Sequence, residues 1–181
     1  GFPTMGGFDQ MTAQLGGFWD SMLGEGRHWW ITANSDSHRH YSEGGIDFWP
    51  GEYSETYVYA DRNHDSILSG LRAGNVFVTT GHLINEIDLE ANHEGHSASI
   101  GGEISVAAGS RVTITIRVRD PDTLNAAGNN PAVSRVDLIM GDVLGAATDP
   151  ALNSNSSTRV VRRFTANDWK RDGEYLTMTE T

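Results

Sequence analysis

Between residues 111 and 119 apolar and polar side chains alternate: Val112, Ile114, Ile116 and Val118 interleave with Thr113, Thr115, Arg117 and Arg119. Successive side chains of a strand point to opposite faces, so a period of two predicts a half-buried antiparallel strand. Shorter segments of similar character lie at residues 103–106, 135–140, 158–164 and 174–179, separated by Gly, Asn, Pro and Asp. Those residues favour turns. Five such strands without a convincing helical pattern predict an all-β, Ig-like sandwich for residues 84–181. The polar stretch 90–99, with His93 and His96, reads as the linker into it. Asn153-Ser154-Asn155-Ser156-Ser157 reads as a surface turn.

The first half has a different rhythm. Phe8, Met11, Leu15, Phe18, Trp19, Met22 and Leu23 recur at helical spacing, interrupted by Gly16-Gly17 and stopped by Gly24 and Gly26. Trp29-Trp30-Ile31-Thr32-Ala33 predicts a buried strand, and residues 53–60, rich in Tyr, Val and Thr, a second. Asn63 is placed to start a helix, with Ile67, Leu68 and Leu71 as its buried stripe and Gly74 as its stop. Residues 76–81 predict a further strand ending in a turn. Strand, loop, strand, helix, strand predicts an α/β layer over residues 1–83. The fold class read from the pattern is therefore α/β followed by all-β.

Composition narrows the function. The chain has 181 residues, a net charge of −11 and no cysteine. Thiolate metal sites, disulfides and a cysteine nucleophile are excluded. The acidic surface repels phosphate backbones, so no nucleic-acid partner is expected, while bound cations would still allow a small phosphorylated substrate. No apolar run is long enough to span a membrane. The compartment stays open, and the charge and Gly/Asn-rich turns fit an extracellular or periplasmic protein. The chain starts at Gly1 without Met, which reads as a processed or truncated piece of something longer.

The most informative residues follow the Trp29-to-Ala33 run: Asn34-Ser35-Asp36-Ser37-His38. An Asp and a His two apart on an extended chain point to the same side, about 6–7 Å apart. A hard carboxylate oxygen and an imidazole nitrogen aimed together suit one divalent metal or two adjacent ones. Turn capping by Asp36 and a solvated His38 explain the same letters. The position at a strand end favours a site, because α/β folds place their active sites there. The donors that follow, His40, Tyr41, Glu43, Asp47 and Glu52, favour it too.

Ala33-Asn34-Ser35-Asp36-Ser37-His38 resembles the last signature of the PHP (polymerase and histidinol phosphatase) metal-dependent phosphoesterases. The order of segments after it, from Asp47-Phe48-Trp49-Pro50-Gly51-Glu52 through Val76-Phe77-Val78-Thr79-Thr80-Gly81, is similar to the closing part of PHP-domain proteins in which an all-β module follows the barrel. The resemblance covers about residues 18–181. It implies the C-terminal part of a distorted (β/α)7 barrel plus an antiparallel β-sandwich. It also implies zinc, manganese or iron, more than one ion in the complete site, with Asp36 and His38 as ligands. In such a site the metals acidify a water, orient it toward phosphorus and neutralise the developing charge. His40, Arg39 and Glu52 become candidates for contacting substrate or orienting a ligand, and Arg27 for holding a phosphate. Trp29, Trp30 and Trp49 read as core.

The family's first signature, His-x-His on the first strand, and its middle ligands have no counterpart before Asn34. The resemblance thus implies that this chain supplies only the last ligands. The N-terminal part of the barrel would come from the same precursor or another chain, and the chain alone would be inactive. A different reading makes the β-rich half the purposeful part, an extracellular binding or assembly module on a non-catalytic barrel remnant. A metal-dependent amidohydrolase is a third, although its usual His and Lys ligands are not seen. His93-x-x-His96 has metal-like spacing without a helix to align it. Asp120, Asp122, Asn125, Asn129, Asn130 and Asp142 gather oxygens that suit calcium, but turn formation explains them more simply.

Overall fold

The computed structural model describes residues 4–5, 8–35, 51–149 and 151–181. In chain order its elements are β1 (Thr4–Met5), β2 (Phe8–Asp9), α1 (Gln10–Ala13), α2 (Phe18–Gly24), β3 (Ser54–Val58), α3 (His64–Ala73) and β4 (Val76–Thr80). Then come β5 (Glu86–His93), β6 (His96–Ser99), β7 (Thr113–Arg119), β8 (Val136–Met140), β9 (Arg159–Phe164), β10 (Lys170–Asp172) and β11 (Tyr175–Glu180). The chain is β-rich and its strand pairs of known register are antiparallel. It divides into two compact units, residues 1–31 with 135–163, and residues 32–134 with 164–181.

The larger unit is built on a five-stranded sheet of order β10-β11-β7-β5-β6. Its central strand β7 realises the period of two. Ile116 and Val118 are buried and pair across β11 with Met178 and Leu176, both buried. On the other face Arg117 stands opposite Asp88 and Arg119 opposite Glu86. The Arg117 guanidinium bonds Asp88 at 3.1 Å and Glu86 at 3.3 Å and lies 3.5 Å from the Tyr175 ring centre. Arg119 binds Glu174 at 2.8 Å. Exposed ion pairs of this kind contribute little stability, about 0–1 kcal/mol each. They fix register, because a slip of one residue would turn Ile116 and Val118 to solvent and place charges in the core. Buried Asp120 closes the strand end, accepting from the Val133 amide at 3.3 Å and Arg171 at 2.9 Å.

Several expected elements differ. Residues 90–99 are not a linker: they belong to the β5–β6 hairpin, whose turn residues Glu94 and Gly95 both have positive φ, 49° and 85°. That conformation suits a two-residue turn whose twist matches the strands. Residues 103–106 form no strand. Residues 29–33 form no strand either, and Trp29 is 47% exposed rather than core. β3 and β4 pair antiparallel, with α3 between them in sequence. α3 has the expected ends: the Asn63 side chain accepts from the Ser66 amide, and Gly74 is left-handed. Its expected apolar stripe is not buried, with Ile67 39% and Leu68 46% exposed. The helix meets β3 at Gly70, where an added Cβ would lie 2.8 Å from Val58.

In the smaller unit the expected helix over residues 8–23 is split into α1 and α2 around Gly16, at φ 71°. The expected surface turn at residues 153–157 is mostly exposed and turns at residues 156–157, but Asn155 within it is a buried hub. Asn155 is 6% exposed, and its side-chain amide donates to the carbonyls of Asp142 and Asp20 at 3.2 and 3.3 Å. Its side-chain oxygen accepts from Ser157, and its backbone amide donates to Gly16. Backbone carbonyls and the Ser157 hydroxyl together remove Asn155 from water without leaving its amide unpaired.

Two stability predictions follow from burial. Leu176→Ala empties a fully buried position and should cost about 3 kcal/mol in urea unfolding, whereas Leu124→Ala, at a residue 69% exposed, should be near neutral. Asn155→Ala should cost about 2 kcal/mol by removing a buried amide and its several hydrogen bonds, and Asn153→Ala, at an exposed residue, should cost much less.

Candidate functional site

The segment leading to Ser35 is laid along β3 by hydroxyls instead of a backbone ladder. Thr56 Oγ1 donates to the Ala33 carbonyl and accepts from the Ala33 amide, both at 2.8 Å. Ser54, buried, donates to the Asn34 carbonyl at 2.6 Å. Ser54 and Thr56 are two apart on a strand and so share one face. This arrangement satisfies the Ala33 amide and carbonyl and the Asn34 carbonyl although these residues join no sheet. Ser35 then stands at an open cleft of about 520 Å³, lined also by Gly51, Ser54, Glu55 and Tyr57.

Of the residues singled out from the sequence, Asp36, Arg39, His38 and His40 lie outside the described residues, as does Trp49. Asp36 directly follows Ser35 in the chain. Glu52 is exposed in the turn before β3. Arg27 belongs to the smaller unit and is paired with Glu25 at 2.7 Å. Among the described residues no group of three or more His, Cys, Asp or Glu side chains could hold a metal.

Three residues at this end of β3 escaped the sequence reading. Tyr57 donates its hydroxyl to Glu55 Oε2 at 2.8 Å, and the His82 Nδ1 lies 3.7 Å from the same oxygen. His82 follows Gly81, and both have positive φ, 60° and 64°. Two left-handed residues in succession turn the chain sharply after β4 and bring the imidazole toward β3. The Tyr57 ring stacks on its cross-strand partner Phe77, 4.6 Å between centres. Burial, then the hydrogen bond to the Glu55 carboxylate and its charge, pushes the Tyr57 phenol from 10.0 up to about 12. The signal for this cluster was the two-residue spacing of Glu55 and Tyr57 and the glycine directly before His82.

Several of the other metal-like residues are engaged by the fold itself. His93 and His96 close the β5–β6 hairpin as cross-strand partners, and His93 Nδ1 lies 2.9 Å from the Arg111 carbonyl, to which it donates. Asp122 accepts from Asn130 at 2.7 Å. The Asn125 side-chain oxygen accepts from the amides of Ala127 and Asn129, each at 3.0 Å. These oxygens are turned toward protein donors, as turn formation requires.

The Tyr57 phenol gives a pH prediction. Between pH 10.0 and about 12 the native state holds a proton that the unfolded chain has released. Its stabilisation is therefore complete below pH 10.0 and is lost as the pH rises toward about 12. Titration of phenolate absorbance should show a late transition that disappears in Tyr57→Phe and moves to lower pH in Glu55→Gln; an unchanged titration in both would contradict the pairing.

No protein-family model, curated protein or solved structure matches this chain.

Proposed function

We propose that this chain carries the last metal ligands of a PHP-type phosphoesterase, which hydrolyses a small phosphate ester. The architecture that goes with this reading is the closing part of a distorted barrel followed by a β-sandwich module. The observation that carries it is the sequence Ser35-Asp36-Ser37-His38, issuing from a segment clasped to β3 by Thr56 and Ser54 at the lip of a cleft.

The donor set fits a divalent ion: one carboxylate and one imidazole suit zinc, manganese or iron. Asp36 and His38 would hold it, and the remaining ligands come from upstream sequence of the same precursor or from another chain. When bound, such ions activate water and neutralise charge on phosphate oxygens. The contribution of this chain's described residues is positional. Thr56 and Ser54 restrain the backbone just before the ligands, which limits the conformational freedom lost on binding an ion.

Paramagnetic broadening by Mn²⁺ tests this directly. Amide signals of residues 35–38 and of Ser54 should broaden first, and Asp36→Asn with His38→Ala should abolish that effect while leaving the melting temperature unchanged. Broadening spread over the acidic surface, or centred elsewhere, would contradict it. The isolated chain with Mn²⁺ or Zn²⁺ should not turn over para-nitrophenyl phosphate, since its ligand set is incomplete.

A further inference from the structure

The two edges of the five-stranded sheet are guarded unequally. β10, at one edge, presents Lys170, Arg171 and Asp172, all exposed. Charged edge strands discourage the addition of a further strand. β6, at the other edge, presents His96-Ser97-Ala98-Ser99, with no Lys, acid or Pro. Among the described residues β6 pairs with β5 alone. The two-residue turn at Glu94-Gly95 makes His93 and His96 the first hydrogen-bonded pair, and the alternation of the ladder then turns the backbone groups of Ser97 and Ser99 away from β5. The Ser99 carbonyl is taken by the Gly102 amide at 2.8 Å. The exposed Ser97 keeps an outward amide and carbonyl with no backbone partner among the described residues.

Beside this edge lies a cavity of about 680 Å³, within the larger unit. Ser97 and Ser99 line it, together with Glu90, Thr115, Asp88 and Arg117. Ser99 stands opposite Glu90, and Glu90 opposite Thr115, so these three share one face of the sheet. The lining is net acidic. Arg117 is already held by Asp88 at 3.1 Å and by Glu86 at 3.3 Å. Glu90 is exposed and has no cation partner among the described residues. Neighbouring strands lie about 4.8 Å apart, so a strand added to β6 would run about 10 Å from β5. A long cationic side chain on that strand crosses the small Ser99 and comes within reach of Glu90.

We propose that β6 accepts a basic peptide in extended conformation as a sixth strand, its Lys or Arg side chains lying over Ser97 and Ser99 toward Glu90. The open amide and carbonyl of Ser97 match the acceptor and donor that one residue of an extended chain presents along its edge. The acidic lining selects cationic side chains, and the net charge of −11 attracts the same partner from a distance. A second copy of this chain fits poorly. Two β6 edges brought together would set their Glu90 carboxylates near one another, between two molecules of the same negative charge.

An NMR titration of the full chain, read at its backbone amides, tests this with a capped octapeptide alternating Lys and Thr. A Glu-Thr octapeptide controls for charge, and a Lys-Thr octapeptide N-methylated along its backbone controls for strand pairing. The Lys-Thr peptide should bind more tightly than either control, with its largest shifts at the Ser97 and Ser99 amides. Glu90→Gln should weaken it about threefold. Ser97→Pro removes the outward amide at a sheet edge, where Pro is tolerated, and should weaken binding about tenfold or more. The N-methylated peptide carries that comparison if the variant melts early. No binding of the Lys-Thr peptide, equal binding of its N-methylated form, shifts centred away from β6, self-association of the chain through Ser97, or unchanged affinity in folded Glu90→Gln would overturn the proposal.

Discussion

The two-faced strand β7 is the constraint on which the larger unit depends. Ile116 and Val118 are buried against Met178 and Leu176, while Arg117 and Arg119 stand opposite acidic partners on β5. Hydrophobic burial supplies the driving force, and the alternating charges decide which register collects it. Neither is sufficient alone. Ion pairs this exposed add little free energy, and an apolar face alone does not choose between pairings that bury it equally well. The same register that closes the core fixes the arrangement of carboxylates, guanidinium and hydroxyls on the open face, so packing and surface chemistry are set by one pairing.

A second device, at β3, joins the fold to the proposed chemistry. A strand edge normally recruits a neighbour through its backbone. Here the Thr56 and Ser54 side chains do that for residues 33–34. The clasp holds the chain just before Asp36 without incorporating it into a sheet. On the same ribbon Glu55, Tyr57 and His82 form a separate polar cluster, with the Tyr57 phenol kept protonated well above its ordinary range by burial and by Glu55.

The sequence disclosed what depends on local rules. The alternation in β7 is plain, and so are the Asn63 and Gly74 ends of α3. The continuous apolar run at residues 29–33 misled, because periodicity does not reveal whether backbone groups find a ladder or side-chain hydroxyls. The β5–β6 hairpin was hidden by its polar composition. Its signal was nevertheless present: Ile87, Leu89 and Ala91 alternate with Asp88, Glu90 and Asn92 ahead of Glu94-Gly95. Asn155 looked like a turn residue because its role depends on carbonyls of Asp20 and Asp142, distant in sequence. The approach of His82 to Glu55 was illegible for the same reason: it needs the β3–β4 register and two left-handed residues at once.

The proposed site has one carboxylate and one imidazole, two residues apart, sharing a cation. Anomalous scattering from a zinc-soaked crystal measures this most directly. A zinc peak is expected about 2 Å from both an Asp36 oxygen and a His38 nitrogen. A zinc ion bound elsewhere, with those two side chains pointing apart, would contradict it.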